Sequence, residues 1–500
     1  MIRFVLIFFL GYSGYVQSQI ATEAITNNAS IAGRSDGVLF TTSDGKSAFK
    51  YPANSNKMMA SLGAFWISAK TNDSILLQAS IYNPLQPEFW SGPIDTLTRK
   101  SKNPDNWNSV YLANAYDIKL HRENYKTPGY SVPKNIVDWP GNSLAGAALP
   151  AVLAPYIDWN LDGLYTPHNG DYPAIKGDNA MYQIYNDEYG EHNASGGIPL
   201  KAQVSQMVFN YTGYGMENVV FIEAYIKNMG DYDWKDCFVG FYTDIVLGNP
   251  NDNFIRTEVD QNLVYAYNGD ETDEGDLGYG SDKPFLGQVW LNRPLSSSTV
   301  FEQKMPSNSM QLRRIMEGYT LEGKLKYDST GGSKFAYPGT SDLNHTQSEI
   351  SEESLGNVPG KRKMLSVVGP LNVKMGKGIK LEFALFAGTT QASVEAEVRK
   401  YAQSVKGFYN QNLNITAIPK QNYLEIYPNP CHANSNIYIH LPDNQNWTVD
   451  VMDAKGVMVC HSQNTYNNVI IAGDKIGACG VYYIRASSSH AVYNKKLIIN

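Results

Sequence analysis

The strongest constraint on the fold is a series of short runs rich in β-branched and aromatic residues, each bounded by glycine, proline or asparagine. Runs of this composition, with turn residues between them, are typical of β-strands. A content of 43% hydrophobic and 18% charged residues is that of a globular protein. We therefore predict a mainly β protein whose body forms one or two β-sandwich-like domains. Examples of the runs are SILLQASIY (74–82), VVFIEAYIK (219–227), FVGFYTDIV (238–246) and IKLEFALFA (379–387).

One segment near the end of the body has helical periodicity instead. Apolar residues recur at intervals of three and four after Ser393, which is a typical N-cap residue, and Glu395 and Glu397 follow it. This pattern predicts one late amphipathic helix whose apolar stripe packs on a sheet. The stripe consists of Val394, Val398, Tyr401, Ala402, Val405 and Phe408.

The N-terminus has the organisation of a secretory signal peptide. Arg3 gives a positive charge before the apolar run FVLIFFL (4–10), and VQS (16–18) provides small residues for cleavage. This apolar run is too short to cross a bilayer, which takes about 20 residues. We predict that residues 1–18 are a signal peptide and that the chain has no transmembrane segment.

Residues 423–500 form a second series of short strands, separate from a body at 19–418. Seven alternating segments are joined by turn residues, among them DAKG (453–456), in which Gly456 permits a positive φ. Seven short strands with turns between them predict a small C-terminal immunoglobulin-like β-sandwich.

Four motifs occur in order within this C-terminal segment: YPNP (427–430), DAKGVMV (453–459), GVYYIRA (480–486) and KKLII (495–499). Together they resemble the type IX secretion sorting domain, which is typical of secreted proteins of the Bacteroidetes. The resemblance implies passage through the periplasm and across the outer membrane by the type IX secretion machinery. It also implies removal of the domain from cargo that is released or anchored at the cell surface. The matching motif residues are Tyr427, Pro428, Asn429, Pro430, Gly456, Gly480, Tyr482, Lys495 and Lys496.

The body resembles a group of secreted Bacteroidetes proteins that carry the same sorting domain. This resemblance implies a secreted protein and no particular activity. The motifs that carry it are spread over most of the chain: FKYP (49–52), LGAFWISA (62–69), FWSGPID (89–95), DWPG (138–141), DWNLDGLYTPHNGDYPAIKGD (158–178), YAYNGD (265–270) and GPL (369–371).

The segment 158–171 contains the clearest pattern for binding a cation. Asp158, Asn160 and Asp162 place side-chain oxygens at the first, third and fifth positions, and Gly163 follows them. The first half of an EF-hand loop has this spacing, because alternate side chains then converge on one hard cation while glycine makes the sharp turn. We predict that this loop binds a structural calcium ion; a polar turn without metal is the alternative.

The second half of the loop departs from the EF-hand pattern. Leu164 is expected to contribute its backbone carbonyl, but the twelfth position is Asn169 instead of a bidentate glutamate. Asp171, two residues further on, is the expected substitute. Pro155 and Pro167 argue against flanking helices, so the loop resembles the isolated calcium loops of extracellular modules.

A second acidic region lies between residues 244 and 276. Carboxylates this close together repel one another unless a cation or solvent screens them. Two interpretations remain open, a solvated loop and a second calcium site. The residues are Asp244, Asp252, Asp260, Asp270, Asp273, Glu274 and Asp276.

Several classes of function lack their sequence signals. A formal net charge of −7 argues against a nucleic-acid partner. The chain has no H-E-x-x-H, paired C-x-x-C, G-x-S-x-G or Gly-rich phosphate motif. We therefore expect a non-catalytic, calcium-stabilised binding or structural protein with an extracellular glycan or protein ligand. The alternative is a secreted hydrolase of polysaccharide or peptide, whose paired carboxylates no sequence motif identifies.

Some residue types have both a packing and a functional interpretation. The polar loop around His192 is expected to be exposed. Tryptophans are either sugar-stacking platforms or core residues, and the second role is the more common. These tryptophans are Trp66, Trp90, Trp139, Trp159, Trp234 and Trp290. Four cysteines are too few for a disulfide scaffold, and the three in the C-terminal domain are expected to be small core residues whose pairing the sequence does not determine. The four are Cys237, Cys431, Cys460 and Cys479.

Overall fold

The structure is a computed structural model, and it shows a chain that is mainly β, as predicted, with antiparallel sheets. The chain divides into two compact units, Met1–Gly407 and Phe408–Asn500. The predicted signal peptide and Pro428 of the sorting motif lie outside the described residues. The residues described are 21–83, 86–142, 149, 152–160, 162–302, 304–327, 332–342, 349–413, 424–427, 429–433, 435–441, 446–465, 468–472, 475–476, 478–488 and 492–500.

The first unit consists of strands connected by long loops and a few helices. Its strands are β1 Thr22–Thr26, β2 Ser30–Arg34, β3 Phe49–Lys50, β4 Met58–Lys70, β5 Leu76–Ala79, β6 Trp90–Ser91, β7 Tyr111–Asn114, β8 Tyr156–Ile157, β9 Tyr172–Pro173, β10 Asn179–Asn186, β11 Ala202–Asn210, β12 Val219–Asn228, β13 Trp234–Ile245, β14 Asn253–Glu258, β15 Leu263–Asn268, β16 Lys283–Trp290, β17 Leu295–Phe301, β18 Lys363–Val373 and β19 Gly378–Thr390. Its helices are α1 Ala115–Asn124, α2 Lys134–Val137, α3 Ser309–Met316 and α4 Val394–Phe408, with short 3-10 turns at Pro104–Trp107, Pro167–Asn169 and Val259–Gln261.

Two large sheets share one hydrophobic core. One sheet has the order β1-β2-β3-β4-β13-β18-β17, with β5 paired to β4; the other has the order β14-β15-β16-β19-β12-β11-β10-β6, with β7 paired to β10. Phe65 of β4 and Phe241 of β13 meet Phe383 of β19, with ring centroids 5.9 Å and 4.7 Å from it. Because these rings come from both sheets, the sheets pack face to face as a β-sandwich.

Helix α4 is the predicted late amphipathic helix, and it covers the outer face of the second sheet. Val398, Ala402 and Val405 are fully buried. The ring of Tyr401 stacks on Phe386 of β19 at a centroid distance of 5.5 Å. Phe386 lies three residues from Phe383, so the two side chains are on opposite faces of β19. The helix therefore explains why this strand is apolar on both faces.

The second unit is a smaller sandwich, in agreement with the predicted C-terminal domain. Its strands form a three-stranded sheet, β20-β21-β24, and a four-stranded sheet, β23-β22-β25-β26. Trp447, Val449 and Val451 alternate inward on β22 and share a core with Ile437 and Ile439 of β21. Seven strands in two antiparallel sheets are the immunoglobulin-like arrangement. The strands are β20 Glu425–Tyr427, β21 Ile437–His440, β22 Trp447–Asp453, β23 Met458–Thr465, β24 Asn468–Ile471, β25 Gly480–Ser487 and β26 Val492–Ile499.

Candidate cation sites and sorting segment

Residues 158–171, called here the Asp158 loop, connect the two strands of a small antiparallel ladder. β8 pairs with β9 through Tyr156↔Pro173 and Ile157↔Tyr172, which holds the two ends of the loop together. The carboxylates of Asp158, Asp162 and Asp171 each have an oxygen within 4.8 Å of the other two. The structure thus brings together the three acidic members of the predicted ligand set.

The backbone of the loop wraps around the first two carboxylates. Asp158 accepts a hydrogen bond from the Gly163 N–H at 2.9 Å, and Asp162 accepts one from the Leu164 N–H at 2.8 Å. Gly163 has φ +81°, a left-handed conformation that favours glycine. The side chain of Leu164 is exposed, so only its backbone takes part in the loop.

Asp171 is the buried member of the group. One carboxylate oxygen accepts the Trp159 N–H at 2.8 Å, and the other accepts the Thr166 N–H at 2.6 Å. The amide nitrogen of Asn169, at the twelfth position, lies 3.5 Å from the Thr166 hydroxyl. Asp171 thus places a third carboxylate beside those of Asp158 and Asp162.

Asn160 is hydrogen-bonded within the loop. Its amide nitrogen donates to the Asp162 carboxylate at 2.8 Å and to the Thr166 hydroxyl at 3.2 Å, while its oxygen lies 3.1 Å from the Asp162 N–H. Ligation of a cation through the Asn160 oxygen therefore requires rotation of the amide, which exchanges its donor and acceptor ends.

Trp159 is the most exposed of the six tryptophans named above, and it lies on the Asp158 loop. Its side chain is 50% exposed, and its indole N–H donates to the Tyr125 hydroxyl at 2.9 Å. Gly170 lies against both rings, because a Cβ there would come within 2.9 Å of each. The Trp159 ring is thus held by a hydrogen bond to Tyr125 and by packing against Gly170. The core interpretation is confirmed for Trp66, Trp139, Trp234 and Trp290, which are buried, and Trp90 is half-buried.

Three residues of the second acidic region also converge, and they are called here the Asp252 cluster: Asp252, Asp270 and Glu274. Each has a carboxylate oxygen within 4.8 Å of the other two. Asp252 precedes β14 and Asp270 follows β15, and Asn253 pairs with Asn268 at the open end of this hairpin. Burial raises the pKa of Asp252 to about 7, and the nearby negative charges act in the same direction.

The expectation for the loop around His192 was wrong. His192 is buried, and its ring nitrogens lie 2.6 Å from the Gln78 carbonyl oxygen and 2.7 Å from that of Asp187. The contact with Asp187 is local, but the contact with Gln78 joins residues 114 positions apart, which no local pattern indicates. The four cysteines form no disulfide. Cys237 and Cys431 are buried, Cys460 is half-buried and Cys479 is exposed. The prediction that the cysteines of the C-terminal domain are core residues is therefore wrong for Cys479.

The first sorting motif is bonded to the last strand. Asn429 accepts the Ile498 N–H at 2.9 Å and donates its amide to the Lys496 carbonyl at 2.7 Å. Tyr427 lies in β20, and its backbone pairs with that of Tyr438. Pro430, next to Asn429, is exposed. The YPNP motif, near the start of the domain, and the KKLII motif, at its end, are therefore neighbours in space.

The other motif residues lie at turns and on β25 and β26. Gly456 has φ +82° in the β22–β23 turn, and Gly480 begins β25. Tyr482 is buried and donates its hydroxyl to the Ala478 carbonyl at 2.9 Å. On β26, Lys496 is exposed and Lys495 partly so. Most of the motif thus supports the sandwich, and the lysines are available for contact.

Residues 425–500 match the family model of a secretion system C-terminal sorting domain. The chain therefore carries a type IX secretion sorting domain, as predicted, and this domain directs it to the cell surface or the extracellular space. The domain also implies interaction with the type IX secretion machinery. In the part of the chain that the structure describes, no helix has the length and hydropathy needed to cross a membrane.

No curated protein matches the chain. Among solved structures, similarity is found to the polysaccharide lyase BACCELL_00875, with 10% identity, a TM-score of 0.24, and coverage of 96% of this chain and 46% of the other. The Faecalibacterium prausnitzii β-glucuronidase has 10% identity, a TM-score of 0.13, and coverage of 52% and 37%. PorZ of the Porphyromonas gingivalis type IX secretion system has 11% identity, a TM-score of 0.15, and coverage of 65% and 42%. The chain spans less than half the length of each, and these likenesses carry no conclusion.

Proposed function

We propose that this exported protein is a calcium-stabilised binding protein whose Asp158 loop presents Trp159 to an extracellular glycan. The observation that carries the proposal is the meeting of three carboxylates beside an exposed, fixed tryptophan. The backbone N–H of Trp159 donates to Asp171, so one residue of the ligand group also positions the backbone that carries the aromatic ring.

Calcium suits the donor set of this loop. Asp158, Asp162 and Asp171 offer only oxygen, and calcium takes six to eight oxygen ligands in flexible geometry. Magnesium requires near-ideal octahedral geometry and gives up its waters reluctantly. Isolated extracellular calcium loops bind with dissociation constants on the order of 10⁻⁴ to 10⁻³ M. We expect a site in that range, because two of the three carboxylates are partly exposed or exposed.

The platform suits a sugar. The C–H face of a pyranose is apolar, and a half-exposed indole offers it an apolar surface beside polar groups. The hydrogen bond to Tyr125 and the packing against Gly170 fix the Trp159 ring before a ligand arrives. A ring held in place loses little conformational freedom on binding, which favours affinity.

The alternative, a hydrolase of polysaccharide or peptide, has less support. A cavity of about 330 Å³ is lined by Glu353 and Glu395. Glu353 accepts a hydrogen bond from the Tyr267 hydroxyl at 2.6 Å, and Glu395 lies 3.4 Å from the Arg256 guanidinium. A glycosidase uses two carboxylates about 5–10 Å apart on a sugar. Here both are engaged by protein groups, and no tryptophan lines the cavity, which favours a binding function.

A glycan microarray probed in calcium tests the binding function. We expect the wild-type protein to bind at least one printed glycan, and Trp159→Ala to weaken that binding about tenfold, the equivalent of about 1.4 kcal/mol. Trp159→Ala keeps the backbone N–H that Asp171 accepts. Tyr214→Ala, which removes a more exposed aromatic ring elsewhere, is the matched control and should bind normally. Equal binding by Trp159→Ala and wild type would contradict the proposal.

A further inference from the structure

Asp252 is a buried acid without a hydrogen-bond donor. Its side chain belongs to a residue that is 5% exposed, and neither carboxylate oxygen has a hydrogen-bond partner. The side chain of Asn249 is close enough to favour the ionised form but does not reach hydrogen-bonding geometry with either oxygen. A buried carboxylate normally has donors or a cation to compensate for lost hydration, so the site is incomplete as it stands.

The carboxylate of Asp252 is directed at two others. Asp270 and Glu274 are exposed, and each has an oxygen within 4.8 Å of an oxygen of Asp252. Three negative groups at this separation repel one another. Asp252 and Asp270 belong to separate segments and meet only because the β14–β15 hairpin joins these segments. A cation between them would turn that repulsion into attraction.

Two side-chain amide oxygens on the hairpin, like the Asp252 carboxylate, accept no hydrogen bond. The side-chain oxygens of Asn253 and Asn268 are buried and have no hydrogen-bond partner. Their amide nitrogens are used: Asn253 donates to the Val246 carbonyl at 3.1 Å, and Asn268 to Asp270 at 3.1 Å. The atoms without partners here are therefore all acceptors, which is the pattern a cation satisfies and an anion does not.

We propose that Asp252, Asp270 and Glu274 bind a divalent cation of the calcium class at the open end of the β14–β15 hairpin. This site is separate from the Asp158 loop and does not depend on the proposed function. The donor atoms are hard oxygens, and the two exposed carboxylates leave room for water to complete the coordination. The Asn253 and Asn268 oxygens are the neutral candidates on adjoining residues.

The surrounding backbone is already fixed for such a site. Asp273, between two of the ligands, accepts the Asn249 N–H at 2.9 Å and the Tyr279 N–H at 2.8 Å. The bond from Asn249 ties the segment before β14 to the segment after β15, and the bond from Tyr279 lies within the latter. A cation can therefore bind without a large rearrangement of the chain.

The test is the variant Asp252→Asn, with Asp276→Asn as the matched control in the same loop but outside the cluster. Melting temperatures of the purified full chain are measured in EDTA and in calcium chloride, and calcium binding is measured by titration calorimetry. At pH 8, where the Asp252 carboxyl is ionised, we expect Asp252→Asn to melt above wild type in EDTA, because it removes an uncompensated buried charge, and below wild type in calcium. One class of calcium site should weaken at least tenfold, since even loss of outer-shell partners costs about that much.

The proposal is overturned if Asp252→Asn keeps the wild-type calcium stoichiometry and the wild-type shift in melting temperature. Should Asp252→Asn fail to fold, Asp270→Asn with Glu274→Gln replaces it, because both residues are exposed; unchanged calcium binding by that variant also overturns the proposal. Asp158→Asn with Asp162→Asn, measured in parallel, distinguishes the two sites. If Asp158→Asn with Asp162→Asn loses calcium binding and Asp252→Asn keeps it, the Asp158 loop is the only one of the two that binds calcium. If Asp252→Asn loses calcium binding and the double variant keeps it, only the Asp252 cluster binds calcium.

Discussion

The Asp158 loop and the Asp252 cluster each bring three carboxylates within 4.8 Å of one another, but only in the first does every carboxylate accept a hydrogen bond. Asp158, Asp162 and Asp171 accept backbone N–H groups of their own loop. Asp252 accepts none. A ring of N–H donors lets a loop keep its shape without metal, whereas a buried acid without donors is compensated only by a proton or by an external cation. Equal crowding of charge therefore does not imply equal dependence on a cation.

The largest expected effect is on hydrogen exchange around the Asp252 cluster. Calcium at ten times its dissociation constant should slow amide exchange in residues 268–276 by about tenfold, because binding stabilises the closed state by that factor. The Asp158 loop should change less, since its amides already donate to carboxylates. Exchange measured by mass spectrometry in EDTA and in calcium checks this, and equal slowing in both segments would remove the contrast.

An effect of the same size in free energy is expected when the Asp158 loop loses its charges. Asp158→Asn with Asp162→Asn should abolish the calcium stabilisation from this loop, about 1.4 kcal/mol at ten times the dissociation constant. Asparagine keeps an acceptor for the Gly163 and Leu164 N–H groups, so the melting temperature in EDTA should change little. Thermal unfolding in both buffers is the measurement, with Asp73→Asn and Asp105→Asn as exposed controls. An equal loss in both buffers would show that the carboxylates serve the turn and not a cation.

The smallest effect is expected at Thr166, whose hydroxyl donates to Asp171 at 3.1 Å. Thr166→Val removes this donor but keeps the shape and the backbone N–H. We expect a loss of about 1 kcal/mol, the usual net contribution of one hydrogen bond, both in calcium and in EDTA. Urea unfolding in the two buffers measures it, and a loss confined to one buffer would mean that the hydroxyl acts through the cation.

The elements with local signals were predictable from the sequence. The stripe from Val394 to Phe408 became α4, and the ordered C-terminal motifs marked the sorting domain, because periodicity and turn residues act over a few residues. The spacing of Asp158 and Asp162 likewise brought them together. The position of Asp171 beside them also depends on the pairing of β8 with β9, which no spacing rule contains.

The Asp252 cluster and the burial of His192 could not be predicted from local sequence patterns. Asp252 and Asp270 belong to different segments, and only the register of β14 with β15 sets their distance. From the sequence alone, the acidic region was therefore open to two interpretations, a solvated loop and a second calcium site. His192 is buried, and its contact with the Gln78 carbonyl arises only when segments distant in the sequence come together.

The bond from the backbone N–H of Trp159 to Asp171 links the residue that carries the aromatic ring to the carboxylate group. Linkage is reciprocal: if an ion on Asp171 raises the affinity for a sugar on Trp159 by some factor, the sugar raises the affinity for the ion by the same factor. A protein of this kind would hold its sugar more tightly in calcium-rich surroundings and release it as the free ion is depleted. The calcium concentration outside the cell would then determine how much of the sugar is bound at the Trp159 ring, without any covalent change in the protein.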